Sequence, residues 1–564
     1  MLSYRFAITS SLDKVFSAWT PDGRGPVAPA CEPLEAFCGE TVSFQIAYYL
    51  DCSGVELLEE EALRFSVKTS CDCAVRLRRV RLMPAGLVCS GEHDGDYLST
   101  QAGMYPDLLD DLPEEGVRGV HQQWRSIWVD LTPGAEGGAG PQKVTVSVQD
   151  QTGRRLWTST LGLRVLGARL PRLRLIHTEF LHTDCLADYY RVEAFSERHW
   201  QIVENYIRCA VDHGVNMILT PLFTPPLDTA RGGERTTIQL VGVKKTGENY
   251  SFDFSKLDRW VRLCFDCGAR YIEMAHLFTQ WGAAFAPKIM AEVDGVPTRI
   301  FGWDTPAQGE AYRNFLACFL PALRSHLAGL GVLDKTWFHV SDEPREKCLD
   351  SYAAAQRCMA EYLPDSPLFD ACSDFALYAR GAVQRPVVSS NHIAPFLAAG
   401  VPHLWTYYCC VQGVDVSNRF FAMPSYRNRI IGVQAYLYRL EGFLHWGFNF
   451  YNTRFSKQHI DPYAVTDCGE NFPAGDPFLV YPGPDGQPRG SIRLMVLTQA
   501  LNDYRALQLL ERFISFERVA ALVDEEAGMR ITFDQYPRNR EFLPALRRRV
   551  NREIQRHLSA PEEN

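Results

Sequence analysis

The sequence predicts a multidomain chain: an N-terminal antiparallel β-sandwich, then a (β/α)8 TIM barrel, then a C-terminal helical extension packed on the barrel. Three observations carry this reading. Residues 1 to about 170 hold short runs of alternating apolar and polar residues punctuated by Gly and Pro, the pattern of half-buried strands. From about 172, short apolar runs alternate with longer amphipathic stretches, and eight such strands fit within roughly 280 residues. From Ser491 the chain reads as helical and charged. A length of 564 residues exceeds what one core accommodates. The boundaries are drawn at 1–170, 171–488 and 489–564.

In the first part, alternating runs at 41–49, 124–131, 143–149 and 161–166 are separated by turn formers such as Pro133-Gly134-Ala135-Glu136-Gly137-Gly138. No chemical constellation is legible there. The barrel begins with a strand over 173–180, a helix over 193–213 and a strand over 216–220. A helix at 254–267, a strand at 271–275, a helix at 309–330, a strand at 336–340 and a helix at 345–362 follow. The last four strands fall at 367–371, 386–389, 403–406 and 442–450, with a helix near 430–440 before the final one. In the tail, Arg547-Arg548-Arg549 reads as a solvated helix face.

The composition narrows the partners. Lys plus Arg total 58 against 67 acids, a net charge of −9 with no long basic run, which argues against nucleic acid and anionic membranes. No uncharged apolar stretch reaches transmembrane length, and the opening residues contain no apolar signal core. Seventeen cysteines are scattered without zinc-finger spacing, so free thiols and a reducing cytoplasm are expected. Aromatic residues make up 12%, which suits a cleft that covers the apolar faces of sugars, though a large core would also absorb them. No cofactor is called, and a homo-oligomer is left open.

Barrel enzymes do their chemistry where strands hand over to loops. Asp342-Glu343 sits at such a point, after Thr336-Trp337-Phe338-His339-Val340 and before Pro344. Adjacent acids at a strand end diverge by the pleat and can approach one substrate from two angles. Glycoside hydrolysis needs such a division of labour, one group protonating the leaving oxygen and another meeting the developing cation. Other strand ends supply candidate sugar contacts. Strand one offers His182 and Asp184; strand three offers His276, Gln280 and Trp281. Strand six offers Asn391 and His392, strand seven Trp405 and Tyr407, and strand eight Trp446 and Asn449. Each has a plainer alternative: the histidines as hydrogen-bonded structural residues, the tryptophans as core. His177, Glu179, His182 and Asp184 are weighed as metal ligands, but strand alternation splits them between faces, and no metal is called. A G-x-S-x-G turn and a Gly-rich phosphate loop are both missing from the sequence.

Several segments match a known family in order. They are His182-Thr183-Asp184-Cys185, the run HLFTQWGAAFAPKIMA from His276, IFGWDT at 300–305 and HVSDEP at 339–344. HLWTYY at 403–408, GFLHWGFNFYN at 442–452 and FPAGDPFLVYPG at 472–483 followed by SIRLMVL complete the set. Over about 172–510 the sequence resembles proteins carrying domain of unknown function 4091, related to glycoside hydrolase family 123. Met495 departs from the pattern, in which an acid is expected at that position. The resemblance implies a β-N-acetylgalactosaminidase that retains configuration by substrate assistance, the sugar's own acetamido oxygen acting as nucleophile. It implies that Asp342 holds the acetamido N–H and that Glu343 is the general acid/base. A proton donor needs a raised pKa, which an indole-walled pocket and an adjacent carboxylate supply, whereas the acetamido partner is expected to stay anionic with help from groups such as Tyr407. Two other readings stay open. One is a two-carboxylate glycosidase with Glu343 as acid and Asp370 or Glu179 as nucleophile; the other is a catalytically silent glycan-binding protein.

Overall fold

The computed structural model of the protein describes residues 3–18, 33–52, 62–134 and 138–559. Two five-stranded sheets face each other across one core in the N-terminal part. The first has the spatial order Ser3–Ser10, Val42–Asp51, Trp124–Pro133, Cys73–Ala85, Gly103–Asp111, antiparallel throughout. The second runs Leu34–Phe37, Arg155–Leu166, Gly140–Gln149, Ala62–Thr69, Val117–Arg118, with a parallel pairing only at Leu34–Phe37. Period-two alternation explains the shared core: Val144, Val146 and Val148 are buried against residues such as Ile46, Ile127 and Val129, while Thr145 and Ser147 turn outward. Residues 135–137 of the predicted turn lie outside the described residues.

Eight parallel strands then form the barrel: β1 Ile176–Glu179, β2 Met217–Thr220, β3 Tyr271–Met274, β4 Thr336–Phe338, β5 Phe369–Ala371, β6 Arg385–Ser389, β7 Trp405–Tyr407 and β8 Gly442–His445. Each pairs with its sequence neighbour, β8 pairs with β1, and β4 meets β5 through a bridge at Phe338 and Leu368. Most of the strands are shorter than their apolar runs predict. The run at 442–450, for example, leaves the sheet after His445. Inward residues stack into a core that includes Met217, Leu219, Trp337, Phe369, Trp405 and Leu444. Trp405 lies so close to Gly442 that a Cβ there would meet the indole at 2.3 Å, so only glycine fits.

One element has no counterpart in the sequence reading. Gly242–Thr246, Asn249–Asp253, Ile289–Val293 and Val296–Phe301, from the loops after β2 and β3, form a separate four-stranded sheet. The tail forms helices Ile492–Leu510, Phe516–Ala527 and Phe542–Ser559. The first is buried on nearly all sides. Its Ile492, Met495 and Val496 share a cluster with Leu12, Val80, Leu109 and Trp128 of the sandwich, which accounts for the methionine where an acid was expected. Arg493 forms a buried pair with Asp107 of the sandwich (2.8 Å). The solvated reading of the basic triplet is corrected at Arg547, whose side chain is only 10% exposed and bridges Glu40 of the sandwich and Asp503. A buried guanidinium needs such partners, and two elements from distant parts of the chain supply them. No helix of the described residues is long and apolar enough to cross a membrane.

Candidate active site

A cavity of about 520 Å³ opens where the strands' C-terminal ends meet their loops. Phe180 follows β1, Gln280 and Trp281 follow β3, and Asp342 and Glu343 follow β4. Tyr407 ends β7 and Trp446 follows β8. The convergence is the one expected of barrel loops.

The acidic pair sits several residues beyond β4, so its two carboxyls do not diverge by strand pleat. Loop geometry separates them. Glu343 has φ +45°, a left-handed conformation costly for a residue with a Cβ. Backbone contacts hold it: Glu343 N–H donates to Ala371 O (3.1 Å), and Trp281 N–H, itself on a residue with φ +62°, donates to Asp342 O (2.9 Å). Below, the Asp370 carboxylate accepts from Val340 N–H, Ser341 N–H, the Tyr352 hydroxyl and His339, which fixes the start of the loop. The Tyr407 hydroxyl donates to Glu343 Oε1 at 2.9 Å. Burial, then the neighbouring Glu343, push Tyr407 well above its usual range, so it stays a phenol donor. Burial also pushes Asp342 well above the usual carboxylate range, with Glu343, Asp370 and Asp228 adding repulsion and His339 opposing. Tyr407 therefore bonds Glu343 and not Asp342, and burial shifts Asp342 toward its neutral form.

The walls are fixed by hydrogen bonds and ring contacts. Trp446 donates its indole N–H to Asp476 (3.0 Å) and meets Phe450 and Phe472 edge-on. Trp281 is 41% exposed at the rim and stands perpendicular to Phe455. Gln280 accepts from Asp228 N–H (2.7 Å), while its amide nitrogen is buried without a hydrogen-bond partner.

Other expected contacts lie elsewhere. His182 touches the cavity but is committed: Nε2 donates to Trp446 O (2.8 Å), and Nδ1 accepts from Arg235. Burial and that guanidinium lower it to about 4, so the ring is neutral. Asp184 does not line the cavity; Arg235 grips it through two 2.7 Å bonds and, against the effect of burial, holds it below the usual range. Asn449 clamps the His182 backbone from both sides. Asn391 and His392 are exposed away from the cavity, and Trp405 lies in the barrel core with its N–H on Glu441. His276 is buried against His339, ring centroids 4.2 Å apart.

Ligand atoms of His276, His339 and Asp370 lie within 4.8 Å of one another, a spacing a metal ion would accept. The local charges favour a different use. Burial alone would lower His339, but hydrogen bonds to Asp370 and Glu273 outweigh it and hold the ring at about 9, as a cation. Burial and that cation then push His276 well below its usual value. The group is a proton-filled network, and a metal would have to displace its protons. The alternative ligand set is also occupied, since Arg419 pairs with Glu179 (2.9 Å) and Arg235 with Asp184.

Sequence reasoning missed three contributors. Asp228 lines the cavity with φ +42° and accepts from Phe455 N–H; burial raises it to about 6. Arg419 joins β1 to β8 by binding Glu179, His445 and Gly447 O. Asp476, behind Trp446, is raised by burial to about 7. All three occupy irregular segments without periodicity; only the Gly475-Asp476 step within a quoted motif offered a signal.

Comparison with known proteins agrees with this geometry. Residues 180–510 match the model of the glycoside hydrolase 123 catalytic domain. A family 123 glycoside hydrolase from Clostridium perfringens, described for glycolipid glycan hydrolysis, superposes with a TM-score of 0.71 at 14% identity, covering 98% of each chain. Fungal β-1,4-galactanases share 13% identity over 58% of this chain and 99% of theirs, with a TM-score of 0.33. No curated protein matches in sequence.

Proposed function

The chain belongs to glycoside hydrolase family 123, and from that premise we propose that it releases terminal β-linked N-acetylgalactosamine, exo-acting and with retention, by substrate-assisted catalysis. The observation that carries this reading is the availability of carboxylates. Asp342 and Glu343 face one cavity, whereas both alternative nucleophiles are committed, Glu179 to Arg419 and Asp370 to the loop N–H groups, Tyr352 and His339. Asp228 also faces the cavity, but its carboxylate accepts from Phe455 N–H (3.0 Å), which suits a hydroxyl contact better than nucleophilic attack.

In this reading Glu343 protonates the glycosidic oxygen as the C1–O bond breaks, and the acetamido oxygen attacks C1 from the opposite face. Asp342 accepts the amide N–H, which favours its anion and offsets the burial that raises it. The resulting oxazolinium ion is opened by a water that Glu343 deprotonates, which restores configuration. Trp446, held by Asp476, forms the floor under the sugar ring, and Gln280 lines the same cavity. Buried thiols such as Cys185, Cys264 and Cys468 fit a reducing cytoplasm.

The test is a set of aryl glycosides that differ only at C2 and C4. Turnover of the N-acetylgalactosaminide, with the 2-hydroxy galactoside at least about 100-fold slower, is expected, since intramolecular attack carries a large entropic advantage. Comparable turnover of both moves the assignment to a two-carboxylate mechanism, and inactivity on all leaves a glycan-binding protein. Tyr407→Phe is expected to lower kcat about 10-fold or more with little change in KM. It removes a hydrogen bond to the carboxylate charge that develops on Glu343 as its proton leaves, worth about 1.5–3 kcal/mol. Steady-state kinetics decide this, and an unchanged kcat would make Tyr407 a packing residue.

A further inference from the structure

Three cations line the cavity in a chain of net charge −9: Arg345 and Lys347, just after the acidic pair, and Arg454, from the loop after β8. All three are exposed, and among the described residues none of their side chains forms an ion pair. The acid between the first two, Glu346, is instead engaged by Arg380 (3.1 Å). Nor are the three counter-ions of the catalytic pair, because the charges acting on Asp342 come from Glu343, Asp370, His339 and Asp228.

Arg454 forms no ion pair among the described residues, though its charge acts on the cavity acid Asp228 and lowers it against the effect of burial. Its guanidinium lies 4.6 Å from the ring centroid of Phe455 and 5.9 Å from that of Phe472. Phe455 is perpendicular to Trp281, the exposed indole at the rim. The rings flank the guanidinium, and its side-chain N–H groups have no hydrogen-bond partner among the described residues. The rim thus combines a sugar-sized aromatic face with two guanidinium forks and one ammonium, and such forks match the paired oxygens of carboxylates and sulfates.

Resting on the glycosidase reading of this cavity, we infer that the rim is an aglycone subsite for an oxyanion, a carboxylate or sulfate on the sugar next to the terminal residue. That sugar stacks on Trp281, and its anionic group meets Arg454, Arg345 and Lys347. Acidic glycans are therefore preferred over neutral ones with the same terminal residue.

The experiment compares β-N-acetylgalactosaminides of 4-carboxyphenol, 4-sulfophenol and the uncharged 4-carbamoylphenol. At low ionic strength the wild-type protein should show a kcat/KM about tenfold higher for a charged aglycone. The ratio should fall toward one as salt rises, because exposed charges are screened. The triple variant Arg345→Gln, Lys347→Gln, Arg454→Gln should bring the ratio within about twofold of one at all salt concentrations. Preference for only one of the two charged aglycones supports the subsite and identifies its oxyanion. Equal kcat/KM on all three overturns the subsite and leaves the reaction assignment standing. If no glycoside is turned over by folded protein, the reaction assignment fails. Calorimetric titration of the same three compounds then reads the preference without turnover, and charged compounds that bind no tighter than the neutral one overturn the subsite.

Discussion

Glu343→Gln should abolish hydrolysis of alkyl or sugar aglycones, a loss on the order of 10³-fold or more, while sparing aryl substrates that leave without protonation. The variant keeps the side-chain shape and still accepts from Tyr407, so the left-handed turn at this residue should persist. The proton donor of the first step and the base of the second are both removed, and kcat/KM reports the first. A good leaving group needs no proton to depart, so the loss of kcat/KM should shrink as the aglycone pKa falls. Rates on a series of aryl glycosides of graded acidity check this. An equal loss across the series would give Glu343 a different part in the reaction.

Asp342→Asn should slow every substrate, good and poor leaving groups alike, by on the order of 10²-fold or more, because it disturbs the position of the internal nucleophile. The structure sharpens the expectation. Burial and three neighbouring acids disfavour the Asp342 anion, so the bound amide N–H has a clear stabilising partner to become. Asparagine keeps an acceptor oxygen but brings an N–H₂ group toward the same region. A thiazoline mimic of the cyclic intermediate should inhibit the wild type strongly and bind the variant far more weakly, as intermediate mimics track catalytic complementarity. Inhibition constants for the two proteins decide it. Indifference of the wild type to the thiazoline would remove substrate assistance.

Barrel strands were legible because a buried parallel strand is a short apolar run between helical stretches, and all eight were found on that signal. Strand ends were less so. Placing the seventh strand at 403–406 puts Trp405 at its mouth, but the strand is Trp405–Tyr407. Trp405 and Tyr407 share the inward face two residues apart, roughly 7 Å in height at about 3.3 Å per residue. That small shift separates a core residue from one lining the cavity. Asn391 and His392 failed for a related reason, since position after a strand says nothing about which way a loop turns. His182 and Asp184 were placed near the site, but a sequence cannot show that Arg235, about fifty residues later, occupies both. Asp228 gave no signal because its role depends on a left-handed backbone in an aperiodic loop. The four-stranded sheet after β2 and β3 was hidden by mostly exposed strands, whose alternation is too shallow to stand out.

The helix Ile492–Leu510 has a consequence for synthesis. The sandwich is complete in sequence by Leu166, yet the face formed by Leu12, Val80, Leu109 and Trp128 is covered only when Ile492, Met495 and Val496 arrive. At roughly 5–20 residues per second the ribosome takes on the order of tens of seconds to make the intervening chain. For that interval the first-folded part carries an uncovered apolar surface, and Asp107 waits without Arg493. The nascent chain is therefore most exposed to aggregation, and most dependent on chaperones, while its barrel is still being made.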